Sequence, residues 1–365
     1  MVSIIKKMTD VLVSDKQLYD ECGVIFTYLN ELKINFSNIE YHNIAWQYSQ
    51  VIEIVYSNKL ENINLNIFDV IIGFANENHA TTKVKQLISA NFDTTIFISD
   101  YRKNNPVIKY SLFDNISDEL LNYPCYKKMD KKKNIVSEYN ILTNYEKEVF
   151  EKLINSTYSN NGLYFVGFFI YLHMKFNSTL PVLNVNRSLL VNLYLMKTKL
   201  LFAPTLCISY PLYHNHNEFL YLFQEVNDDP KEIIKFSRLC FDIIKQAAII
   251  NRAFVSKAIV TYSLLEEIIS KNKVLKMLEN KPYKNLFKIL AFDKNMLKKY
   301  LEINDISDVL LIIDELIKLN LIVNISNREN QDFYMFKELF KAIKRLDRNK
   351  SQSTAQIFKL RENMN

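Results

Sequence analysis

Glycine is nearly absent from this chain, with four among 365 residues against an average usage of about 7%. Proline is scarce too, with seven. Sharp turns and left-handed backbone draw on these two residues, so their scarcity argues for a mainly helical fold with few tight turns. The four cysteines, Cys22, Cys125, Cys207 and Cys240, show no CxxC spacing. Reduced thiols in a cytoplasmic protein are the expectation. No signal peptide is evident at the N-terminus, and the apolar run Leu163–Phe176 falls short of the roughly 20 residues that span a bilayer. No membrane association is expected. A net charge of +6 is too mild to imply nucleic acid by itself. His214-x-His216 has no cysteine or carboxylate to complete a metal site, so no metal is expected there.

What the chain does have is apolar mass. At 48% hydrophobic content its length suffices to bury one large core and a small second domain. The centre of that core is legible in residues 163–199. Leu163–Phe176 is broken only by Gly167, His173 and Lys175, and Leu189, Leu190, Leu193, Leu195 and Met196 follow after a polar loop. Two such helices form an αα-hairpin that must lie inside the domain. A loop ending at the N-terminus of a buried helix is also a place where phosphate can be held by free backbone N–H groups.

Residues 1–60 read as N-terminal helices, and 61–278 as the helical core. Within the core, Thr94–Ser99 and Val107–Leu112 are β-branched runs around an Asn-Pro turn, which predicts a β-hairpin over 94–112. Lys127, Lys128, Lys131, Lys132 and Lys133 read as a solvated connector. Asp229-Pro230-Lys231-Glu232 provides a helix start, with one helix behind it and a further helix from about Asn251 to Leu278. Residues 282–345 predict a small winged helix-turn-helix, with helices at 286–290, 296–301 and 309–319 and wing strands at 321–325 and 333–336. Its third helix carries Asp305, Asp308, Asp314 and Glu315 against Lys318, charges that phosphates would repel, so DNA binding is expected to be weak or none. Residues 346–365 read as a basic flexible tail.

The sequence His173-x-x-Phe176, followed after the loop by Leu189-Leu190-Val191-Asn192-Leu193-Tyr194-Leu195-Met196-Lys197, resembles the Fic (filamentation induced by cAMP) family of nucleotidyl transferases. That family carries H-P-F-x-x-G-N-G-R-x-x-R in the loop. Here the motif is eroded. Leu180 stands at the catalytic His and Pro181 keeps the Pro. Asn184 replaces the acidic residue, Asn186 keeps the Asn, and Arg187 is what survives of the arginine tail. Upstream, Ser49-Gln50-Val51-Ile52-Glu53 is similar to the family's inhibitory helix, whose Glu pairs with the last motif Arg. No arginine partner for Glu53 is identifiable in the sequence. The resemblance implies that the hairpin is a flap that binds a partner by strand addition, with Ile96, Ile98, Ile108 and Tyr110 filling pockets and Arg102 and Lys103 at its tip.

AMP transfer needs a base, a metal and a phosphate cradle. Leu180 cannot take a proton, and Asn184 is a weaker Mg²⁺ ligand than a carboxylate. His173 is the nearest histidine, and Arg187 stands where an anion could be met. The expectation is a mainly α protein with a degenerate Fic-like core, a flap and a winged-helix domain. It acts through protein binding or regulation, with a protein partner or a homodimer, and takes neither ATP nor Mg²⁺ as a cofactor. The alternatives are an active transferase with an unusual site, which would use ATP and Mg²⁺, and a winged-helix DNA-binding regulator.

Overall fold

The computed structural model describes residues 2–37, 39–76, 80–105, 107–126, 144–155, 163, 165–177, 183–226, 229–326 and 332–348. Leu180, Pro181, the 127–133 lysine run and the tail from residue 349 lie outside them. Fifteen α-helices are present among the described residues. They are α1 (Val2–Ser14), α2 (Lys16–Ser37), α3 (Ile39–Leu60), α4 (Ile67–Ala75), α5 (Thr82–Asn104), α6 (Ser111–Leu121), α7 (Asn144–Asn155), α8 (Val166–Asn177), α9 (Leu183–Lys197), α10 (Ser209–His214), α11 (His216–Glu225), α12 (Glu232–Lys271), α13 (Lys294–Tyr300), α14 (Ile306–Lys318) and α15 (Lys337–Arg348). The strands are β1 (Ile322–Asn324) and β2 (Tyr334–Phe336). None of the described helices is long and apolar enough to cross a membrane.

The chain divides into two compact units. The first comprises residues 1–35, 49–73 and 78–251, and the second residues 36–48, 74–77 and 252–365. In the first unit the two apolar runs form the expected pair α8 and α9, buried through Val166–Met174 and Arg187–Met196. Phe169 stacks on Tyr194 between them, with ring centroids 4.9 Å apart. Gly167 permits a close approach to α12, since a Cβ there would meet the Ser237 Cα at 2.7 Å. The two helices expected after Asp229 are one, because α12 runs unbroken through Asn251. The buried Asn251 side chain finds its partners on other segments, Ser49 and Thr205, so its polarity does not end the helix.

The hairpin expected over 94–112 is not there. Thr94–Asn104 belongs to α5, which the Thr81 side chain caps by accepting from the Val84 N–H. Leu87, Asn91, Thr94 and Ile98 are buried at spacings of four, three and four, which is a helix face. In a strand Ile96 and Ile98 would share a side. Here Ile98 is fully buried and Ile96 is 43% exposed. β-Branched residues are tolerated because tertiary burial outweighs their strand preference and their hydroxyls have partners. Thr94 Oγ1 donates to the Ala90 carbonyl at 2.7 Å, and Ser99 Oγ to the Thr95 carbonyl at 2.9 Å. The Asn-Pro pair is a helix stop, with Asn105 as the C-cap.

The second unit is built from aromatic packing. Phe287 stacks on Phe336 at 4.9 Å, with Tyr262 and Phe292 edge-on to the pair. β1 and β2 pair antiparallel, Ile322 opposite Phe336 and Asn324 opposite Tyr334, and Phe292 adds a bridge to Tyr334. Asp293 and Asp305 cap α13 and α14 through their carboxylates. α14 ends at Asn320, whose φ of 58° returns the chain to β1 while Leu321 N bonds the Leu316 carbonyl.

Candidate functional site

The first unit contains a seam of polar side chains inside an apolar core, and Glu53 of α3 is its charged member. Ser188 Oγ of α9 donates to Glu53 Oε2 at 2.5 Å, and the Ser209 N–H of α10 donates to Oε1 at 2.9 Å. Burial pushes this carboxyl above the usual carboxylate range, and the bonds from Ser188 and Ser209 only partly offset it. Ser49, one turn earlier on α3, accepts from Asn251 Nδ2 at 3.0 Å. Both residues of the inhibitory-like segment are therefore bonded within the fold.

The rest of the seam has one shared target, the segment from Pro204 to Ser209, whose residues are all buried. A buried irregular segment leaves peptide groups that need partners. Asn192 bonds both ways to Leu206, accepting from its N–H at 3.0 Å and donating to its carbonyl at 3.1 Å. Gln50 donates to the Pro204 carbonyl at 3.3 Å and accepts from Thr95. Asn251 donates to the Thr205 carbonyl. Sequence reading singled out none of Gln50, Asn192, Ser188, Ser209 and Asn251. The one signal for Asn192 is a lone amide inside Leu189–Met196.

Beside Glu53 is a cavity of about 10 Å³, lined among others by Gln50, Ser57, Asn91 and Leu189. That is room for about one water, whereas small-molecule sites run to about 300 Å³ and more. A larger groove of about 260 Å³ lies between α2 and α12, but Arg238 on its wall is matched there by Asp15 and Glu21, each at 3.5 Å.

Arg187 is not open to solvent. It is 3% exposed, with its guanidinium 5.0 Å from the Phe219 ring centroid. Burial pulls it down to about 10. His173 of α8 is 1% exposed, and burial together with the nearby Arg187 charge holds it down to about 3. A histidine so depressed stays neutral at physiological pH and is a poor proton acceptor. His214 packs against the rings of Tyr56, Tyr210 and Tyr213. No cluster of three potential metal ligands occurs among the described residues.

The residues assigned to a flap are dispersed. Ile96 and Ile98 point to different sides of α5, and Arg102 and Lys103 lie in its last turn. Ile108 and Tyr110 are buried, and α7 takes their backbone groups. Asn155 accepts from the Ile108 N–H at 2.9 Å and donates to its carbonyl at 2.8 Å, while Glu151 accepts from the Tyr110 N–H at 2.6 Å. This segment offers no strand edge there for a partner to join.

Asn184 and Asn186 fall in the first turn of α9. Neither has the carboxylate that would hold Mg²⁺, and Arg187, the cation beside them, is buried. No family model matches the chain, and a comparison with curated proteins finds no match.

Proposed function

We propose that the chain is a catalytically degenerate Fic-fold protein that acts by binding another protein. One observation carries this reading: Arg187, the surviving arginine of the eroded motif, is sealed in the core over Phe219. A cation that is to stabilise transferring phosphate must reach it. The seam around Glu53 agrees, since its donors are spent on the backbone of the segment from Pro204 to Ser209. The second unit, on this reading, is a winged-helix module. Its order of helix, bridge, two helices and hairpin supports that, and its acidic α14 points the module toward protein rather than DNA.

The test is to incubate the purified protein and a cell lysate with labelled ATP, UTP or CDP-choline and Mg²⁺. No self-labelling and no labelled lysate protein are expected. Labelling that disappears on Arg187→Ala or Asn186→Ala overturns the reading.

A further inference from the structure

α14 carries more apolar side chains than its own fold uses. Val309, Ile312, Ile313 and Leu316 form the inner face and are at most 2% exposed. Ile306, Leu310, Leu311 and Ile317 point outward and are 36, 45, 50 and 44% exposed. Positions 306, 310 and 317 follow helical spacing and make one stripe, and Leu311 is exposed separately, beyond Asp314 on the helix surface. An outward stripe of this size on one helix, rimmed by charge, is the form of a helix-docking surface.

The charge says what it fits. Asp314 is exposed and lies one turn from both Leu310 and Ile317, whereas Asp308 lies on the opposite side of the helix. Lys318, the basic residue of the last turn, is 3.4 Å from Glu315, whose other oxygen accepts from Asn272. Next to the stripe, burial and then the carboxylates of Asp332 and Asp314 push the Tyr334 phenol upward, which marks the same edge as negative. Nucleic acid would be repelled here. A second copy docked through the same face would bring Asp314 toward Asp314. We infer that the outer face of α14 docks an amphipathic helix of a partner protein, one that offers aliphatic side chains flanked by lysine or arginine. The inference rests on the protein-binding reading and gives it a partner chemistry.

The experiment titrates the full chain with two fluorescent synthetic helical peptides, identical in their leucine stripe and flanked by lysines in one and glutamates in the other. The lysine peptide should bind, weaken as salt rises, and exceed the glutamate peptide by about tenfold or more. Asp314→Lys with Asp332→Lys should exchange that preference, and Leu310→Ser with Ile317→Ser should remove binding of both. All four substitutions alter partly or wholly exposed side chains, and the aspartate pair tests the face without touching its apolar residues. Equal binding of the two peptides, binding by neither, or binding that survives Leu310→Ser with Ile317→Ser overturns the inference. So does self-association, or capture of duplex DNA, that is lost in that variant. Peptide results leave the nucleotide-labelling assay unchanged, so failure here is distinct from failure of the non-catalytic reading.

Discussion

The two units place their unusual side chains in opposite ways. The first encloses charge: Glu53, His173 and Arg187 sit inside an apolar interior with Asn192 and Asn251. The second has an aromatic interior around Phe287 and Phe336, and turns Leu310, Leu311 and Ile317 toward solvent. The polar groups of the first unit meet the fold's own backbone and side chains, whereas the outward stripe of α14 is exposed.

Asn192→Ala is the most direct way to break this contrast. It strands the N–H of Leu206 in the core, while the Leu206 carbonyl keeps the Ile208 N–H, at a cost of about 2 kcal/mol read by urea denaturation. A loss below about 1 kcal/mol would mean that the seam does not hold that segment. A smaller, pH-dependent effect is expected from His173→Phe. The folded pKa of His173 is about 3 against an ordinary 6.5, so below 6.5 the unfolded chain takes a proton that the folded chain refuses. Stability then falls as pH drops from 6.5 toward 3, by up to about 1.4 kcal/mol per pH unit from this one group. The variant should lack that component, so its stability relative to the unaltered chain should rise as pH falls from 7 to 4. Parallel pH profiles would show that His173 is not held neutral. The smallest effect belongs to the second unit: Leu310→Ser alters a side chain 45% exposed and should change stability by about 0.5 kcal/mol or less. A larger loss in thermal melting would mean that the outward stripe supports the fold after all.

The pair α8 and α9 was legible because an unbroken apolar run needs no partner residues to declare itself buried. The elements of residues 282–345 were legible for a related reason, since Asp293 and Asp305 announce two helix starts and alternating apolar residues the strands. Thr94–Ser99 was misread because the run fits both a strand and a helix, and what decides it is remote. Thr95 bonds Gln50, and Thr94 is buried among elements distant in sequence. At the site, Glu53 had a local signature but its partner Ser188 is 135 residues away, a pairing no spacing can announce. Arg187 stands in the sequence where an anion could be met, and the sequence does not reveal that the Phe219 ring lies against it.

Asn155 has a consequence for how the chain must be made. Its side-chain amide takes both hydrogen-bonding groups of Ile108, as a neighbouring strand would. Residue 155 leaves the ribosome 47 positions after residue 108, and synthesis proceeds at about 5–20 residues per second. For a few seconds, then, the backbone around Ile108 is an extended stretch with nothing to cap it, beside the apolar Val107 and Tyr110. Arrival of α7 supplies the side-chain partner for both groups, so this part of the fold closes only after residue 155 is made.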